Sequence, residues 1–344
     1  EGRTLSNLDD VTSDSNAYVD RITEQRTVTL NYERNGAGWW DEGIEATVYR
    51  NNMELTDNRL DNGSEESGTQ DYIEYETLGL DVQNTFERGR HEITYGLEHV
   101  VDEQSSSTTR DPGANAETFF PEADQSKTGF FVQDDIRLMG GRLSLIPAVR
   151  HDEWENNPDS AALETRTEDE TSFQLGSVYD LTERWKLTAN YAEGFRAPGI
   201  QELYNDGLHF GFSVGPTTYS EFFVPNPELK PETSETREFG LRYVTDSFKA
   251  RASYYEVDAE DLIDQVLISE FSGASPFAPP FNETRERQAR NISRAELHGY
   301  EGSFDWTVTE QFSLKARYSS PHGKNLTNDQ PLGSTPAENL VVLN

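Results

Sequence analysis

Residues 238–254 read EFGLRYVTDSFKARASY. Phe239, Leu241 and Tyr243 alternate with Glu238, Gly240 and Arg242. After Asp246-Ser247 the alternation resumes, with Phe248, Ala250, Ala252 and Tyr254 set against Lys249, Arg251 and Ser253. A period of two puts all the apolar side chains of a strand on one face. Two such runs joined by a short polar link predict a β-hairpin. The rhythm recurs at Leu187, Ala189 and Tyr191, at Phe173, Leu175 and Tyr179, and at Phe312, Leu314, Ala316 and Tyr318. Helical stripes are sustained nowhere.

Extended outward from this hairpin, the pattern predicts about thirteen strands, near 18–32, 40–50, 71–86, 90–102, 126–138, 142–154, 170–181, 184–194, 233–245, 248–258, 290–308, 311–319 and 337–344. The connections sort by length. Short ones fall at 87–89, 139–141, 182–183, 246–247 and 309–310; long ones at 51–70, 103–125, 155–169, 195–232, 259–289 and 320–336. Long strands with short turns at one end and long loops at the other fit a transmembrane antiparallel β-barrel. A soluble sandwich would alternate in polarity too, but gives no reason for loops to sort. In a wide barrel the lumen is wet and the aromatic face meets lipid; Trp185, Tyr191, Tyr243, Tyr254, Trp306 and Tyr318 would suit interfacial girdles.

Composition narrows the function. The 344 residues carry 63 acidic and 29 basic side chains, a net charge of -34. Such a surface repels nucleic acid. There is no cysteine, which excludes disulfides, cysteine-ligated zinc and a thiol nucleophile. No apolar run approaches the roughly 20 residues of a membrane helix, and the mean hydropathy is -0.78; a barrel hides its apolar residues at alternate positions and tolerates both. No P-loop, GxSxG or HExxH is present. The acidic clusters Asp134-Asp135, Asp152-Glu153 and Glu168-Asp169-Glu170 match no calcium-loop spacing. Asn291-Ile292-Ser293 fits a glycosylation pattern that means little in a bacterial barrel. Nothing here reads as an enzyme.

Several segments carry a resemblance. Phe130–Asp135, Leu143–Arg150, Tyr191–Pro198, Asn226–Gly240 and Glu296–Glu301 resemble the barrel strands of TonB-dependent outer-membrane receptors. Phe195-Arg196-Ala197-Pro198, Glu202-Leu203-Tyr204, His209-Phe210 and Asn226-Pro227-Glu228-Leu229 together resemble the haem and haemoglobin receptor subfamily. The resemblance implies an all-β chain, residues 1–344 being one incomplete portion of a 22-stranded barrel, with the plug domain and TonB-binding segment lying outside it. It implies haem uptake across the bacterial outer membrane, from haem or a haemoprotein, energised through the TonB–ExbB–ExbD complex. A ferric-siderophore or other nutrient receptor of the same fold, and a structural or adhesive barrel, are the rivals.

Between the two proline-marked boxes stands one histidine, His209, and the resemblance makes it an axial ligand to haem iron. Neutral imidazole suits haem iron, and a porphyrin needs apolar walls; Tyr204, Phe210 and Phe212 are the candidates for these. The bland reading of a loop histidine is solvent exposure. His91 follows a short turn, His99 and His151 lie toward long-loop ends, and His298 shares the alternation of Tyr300 and Phe304, which points it outward. His322 falls in the long loop after Tyr318.

Overall fold

The computed structural model describes residues 2–7, 17–38, 41–61, 70–109, 122–160, 163–214, 217–274, 281–292, 294–327 and 329–331. The hairpin read first from the sequence forms as expected: Glu232–Val244 pairs antiparallel with Phe248–Glu260, Phe239 opposite Tyr254 and Leu241 opposite Ala252. Thr245 closes its turn, donating its N–H to Phe248 O at 2.7 Å and accepting from Phe248 N–H on Oγ1 at 2.9 Å.

In chain order the elements are β1 (Gly2–Asn7), β2 (Ala17–Gly38), β3 (Asp41–Asp61), β4 (Gln70–Arg88), β5 (His91–Thr109), β6 (Ala123–Leu138), β7 (Leu143–Pro158), β8 (Arg166–Asp180) and β9 (Trp185–Arg196). A short helix α1 (Ile200–Tyr204) follows, then β10 (Gly207–Val214), β11 (Thr217–Phe223), β12 (Glu232–Val244), β13 (Phe248–Glu260), β14 (Ile263–Ala274) and β15 (Phe281–Asn291). β16 (Ala295–Thr309), β17 (Phe312–Asn325) and β18 (Gln330–Pro331) complete the set. Fourteen strands form one antiparallel sheet, ordered β1 to β9, then β12, β13, β16, β17 and β18. Among the described residues its two edge strands, β1 and β18, do not pair with each other.

The pairing places the apolar residues in rows. Ala189, Phe239, Tyr254 and Tyr300 lie in register across β9, β12, β13 and β16. Phe130, Phe173, Leu175, Leu187, Phe239 and Leu241 are all exposed, an apolar band that water would penalise and lipid accommodates. At its short-turn edge the aromatic rings meet: Trp185–Tyr243 at 4.5 Å, Tyr243–Phe248 at 6.0 Å and Phe248–Trp306 at 6.5 Å between centroids. Of the expected girdle, Trp185, Tyr243 and Trp306 join this cluster, whereas Tyr191 bonds Glu193 at 2.9 Å and Tyr254 packs on Tyr300 at 5.1 Å.

The opposite face is polar. Arg150 grips Asp152, its Nε donating at 2.8 Å and its Nη2 at 2.7 Å, and also reaches Glu98; Asp152 is completely buried. Gly129 stands opposite Asp152. A Cβ there would lie 2.2 Å from Arg150 Nη2, so the crossing of that guanidinium depends on the glycine.

Three expectations are revised. The strands run well beyond the stretches predicted, so β3 and β5 occupy much of what was read as long loop. The span 290–308 is two strands, broken between Asn291 and Ala295. The described residues of the loops 195–232 and 259–289 hold strands of their own: β10, β11, β15 and β14 form a second sheet in that order, with β11 and β15 parallel. A parallel pair needs partners distant in sequence, which local alternation cannot reveal. The expected strand 337–344 lies outside the described residues.

Candidate functional site

The site begins where β9 ends. Phe195 stacks on the buried Trp154, centroids 5.1 Å apart, and Lys127 Nζ lies 5.8 Å over the same ring. Proline at 198 disfavours helix for the residue before it, so the chain turns and α1 starts after Gly199. The Gly199 N–H donates to Glu202 Oε2 at 2.8 Å, the carboxylate half of a capping box. The helix is held against the inner wall by Gln201, whose Nε2 donates to Tyr75 Oη at 3.0 Å and Gln104 Oε1 at 3.2 Å. Gln125 Nε2 donates to Pro198 O at 3.2 Å.

Arg196 is the joint. Its Nη1 and Nη2 donate to the two oxygens of Glu202 at 2.8 and 2.9 Å, while Nε and Nη2 donate to the two oxygens of Glu232 at 2.8 and 2.7 Å. A guanidinium can fork onto two carboxylates because its donors are coplanar and fixed. The hydrogen bonds to Glu232 and Glu202 push Arg196 above its ordinary pKa. For Glu232, burial pushes upward, but the bond from Arg196, the Ile263 N–H and the arginine charge together bring it below its ordinary 4.5.

The second box clamps the outer sheet. Asn226 N–H donates to Leu203 O at 2.8 Å, and its Nδ2 to Ala289 O at 2.7 Å. Lys230 N–H donates to Asn291 Oδ1 at 2.9 Å, while Asn291 Nδ2 donates to Lys230 O at 2.9 Å and Asp261 O at 2.6 Å. Ile263 N–H donates to Glu232 Oε1 at 2.8 Å. Between these bonds sits an apolar core of Ala123, Ile200, Leu203, Tyr204, Leu229 and Ala289.

The structure therefore joins the two boxes into one support beneath the β10–β11 hairpin. His209 lies in β10 at a register shift: Leu208 faces Phe222 and Phe210 faces Glu221, leaving His209 as the extra residue of a bulge. Bulges re-aim side chains and recur beside functional sites. Phe210 and Phe212 follow it along β10, paired with Glu221 and Tyr219. Tyr204 is brought into the supporting core and not to a surface: it is fully buried, and burial pushes its phenol above the ordinary value against the charge of Arg166.

The other histidines are on the wall. His91 Nδ1 bonds Asp134 at 2.7 Å, His99 Nδ1 bonds Thr128 at 2.9 Å, and His151 Nδ1 bonds Thr171 at 2.9 Å. His322, expected in a long loop, lies in β17 directly opposite His298. Sequence reading missed the Arg196 fork and Asn291. For the first, Glu202 stands three residues after Gly199, the spacing of the carboxylate half of a capping box, but this points to the helix start and not to the fork. Asn291 gave none.

The family model "TonB dependent receptor-like, beta-barrel" matches residues 2–343. A "Hemin receptor" of Yersinia enterocolitica is 30% identical over 328 residues, covering 91% of this chain and 45% of the relative. A "Heme/hemopexin utilization protein C" of Haemophilus influenzae (strain 86-028NP) is 28% identical over 284 residues, covering 80% of this chain and 39% of the relative. The chain thus spans less than half the length of these relatives. Among solved structures, "Copper transporter OprC" superposes with a TM-score of 0.69 at 18% identity, covering 92% of this chain and 51% of that one; this likeness concerns the fold alone.

Proposed function

The chain belongs to the TonB-dependent receptor-like β-barrel family, and from that premise we propose that it is the barrel portion of an outer-membrane receptor for haem. The receptor takes haem, free or from a haemoprotein, and is energised through the TonB–ExbB–ExbD complex. The family is one of receptors and not an enzyme class, and the haem is cargo, left chemically unchanged.

One observation carries the reading: the two boxes converge on a single Arg196–Glu202–Glu232 joint beneath the hairpin that holds His209. His209 is the proposed axial ligand and Phe210 and Phe212 the proposed porphyrin walls; the burial of Tyr204 favours a packing role for that residue. The names of the relatives in Yersinia and Haemophilus support haem over other cargo. A second ligand would come from a segment outside this chain. The test is haem titration of the full-length receptor in detergent, followed at the Soret band. His209→Ala should abolish or shift the low-spin spectrum. Wild-type spectra and affinity in that variant would refute the ligand assignment, and absence of any Soret change in the wild type would favour a siderophore or adhesive barrel.

A further inference from the structure

The face that carries the apolar band bears, just above the Tyr254–Tyr300 pair, two histidines outside the proposed haem site. His298 of β16 and His322 of β17 are directly opposite in antiparallel register. Their rings are parallel within 9°, with centroids 5.7 Å apart. Both lie on the Tyr300 face, two residues from it and from its partner Ser320 respectively. Glu256 stands opposite His298 on the other side, in β13. Glu296 Oε1 approaches His298 Nδ1 at 3.4 Å. The next residue up β17 on this face, Lys324, is paired with Asp329, and Arg237, beyond Glu256, is paired with Asp258 and Glu235.

We propose that His298 and His322 form a two-imidazole chelate for a divalent transition-metal ion on the outer face of the barrel. Directly opposed residues of an antiparallel pair hold their Cβ atoms about 4.5–5.5 Å apart. Small ring rotations then bring one nitrogen of each to the roughly 2.0 Å bond length that such ions require. The backbone ladder fixes the spacing, so little order is lost on binding. Among the described residues no third histidine or carboxylate completes a ligand set, which leaves the remaining positions to water or to an external donor. Imidazole pairs with open positions follow the general affinity order, so Cu(II) binds most tightly, and Ni(II) and Zn(II) less so.

The test is Cu(II) titration of the full-length receptor in detergent, without haem, read by electron paramagnetic resonance. The wild type should bind one equivalent with a two-nitrogen spectrum. His298→Gln and His322→Gln should each weaken that site on the order of 100-fold, the gain expected from joining two donors, and the double variant should lose no more than either. Binding unchanged in both single variants, or losses that add independently, would overturn the chelate. A second measurement needs no variant: Zn(II) should slow diethylpyrocarbonate modification of His298 and His322 together in the wild-type receptor, and unslowed modification of either would also overturn it.

Discussion

Replacing Arg196 by alanine removes four hydrogen bonds to two carboxylates, one of which, Glu232, is only 17% exposed. Breaking a buried pair by deleting one partner costs about 3–5 kcal/mol, whereas exposed pairs are worth about 0–1 kcal/mol. The arginine side chain is 47% exposed, so solvent screens part of the loss and an intermediate cost of about 2–3 kcal/mol follows. That cost is local. It falls on α1 and on the attachment of β12 to β14, and the ladder of the large sheet is untouched. The amides that report it are Leu203 N–H, bonded to Gly199 O, Asn226 N–H, bonded to Leu203 O, and Ile263 N–H, bonded to Glu232 Oε1. Hydrogen exchange on the full-length receptor in detergent should accelerate roughly 30- to 140-fold at these amides, from about 1.4 kcal/mol per decade. Amides in β4 and β5 should be unaffected. Arg196→Lys should recover only a minor part, because an ammonium cannot fork onto two carboxylates. Unchanged exchange at all three amides, or full rescue by lysine, would refute the joint.

Three further outcomes follow from the same support. Asn291→Ala removes three hydrogen bonds to the backbone of the second box and its neighbour; at about 1 kcal/mol each it should raise proteolytic cleavage of the β14–β15 hairpin on the order of 100-fold while the barrel's melting temperature holds. Glu232, its pKa lowered on folding, contributes stability that is complete above 4.5 and is lost as pH falls through the lowered value; exchange at Ile263 N–H, normalised for intrinsic rates, should therefore rise between about pH 5 and about pH 2, and in Glu232→Gln that added rise should vanish. Tyr204→Phe removes a buried hydroxyl that has no hydrogen-bond partner among the described residues, so thermal stability should hold or rise by about 1 kcal/mol and the haem spectrum should be unchanged; a lost Soret shift would assign Tyr204 to the ligand set instead.

The large sheet was legible because its signal is local. Period-two alternation at Phe239–Tyr243 and Phe248–Tyr254 fixes which face each side chain takes, and a short polar turn fixes the pairing partner. Strand length was underestimated where alternation gives way to polar residues: Asn51–Asp61, with only Met53, Leu55 and Leu60 apolar, and Glu103–Thr109, with no apolar residue, read as loop, yet each continues a ladder begun below. The second sheet was invisible for a different reason. Its β11–β15 pairing joins Thr217 to Phe281 across an intervening hairpin, β12–β13, that belongs to the other sheet.

The boxes sit between these cases. Phe195–Pro198 and Asn226–Glu232 could be recognised as flags on either side of His209, but a flag carries no geometry. Their meaning lies in residues that each box lacks: Arg196 needs Glu202 and Glu232, and Asn226 and Lys230 need Ala289 and Asn291. Glu232, Ala289 and Asn291 are ordinary in composition and remote along the chain from the residues they meet, and Glu202, six residues from Arg196, is reached only because α1 turns the chain back. A hairpin on flexible loops would hold an imidazole loosely; one braced at α1, at β12 and at the β14–β15 hairpin holds it on a support tied by the bonds of Arg196, Asn226 and Asn291. Preorganisation of that kind reduces the ordering cost of binding. The proposed haem-ligand role of His209 therefore draws affinity from the brace and coordination from the imidazole. A receptor that keeps His209 but carries Arg196→Ala should bind haem more weakly while keeping the wild-type ligand spectrum at saturation, a separation of affinity from coordination that loss of the ligand itself would not produce.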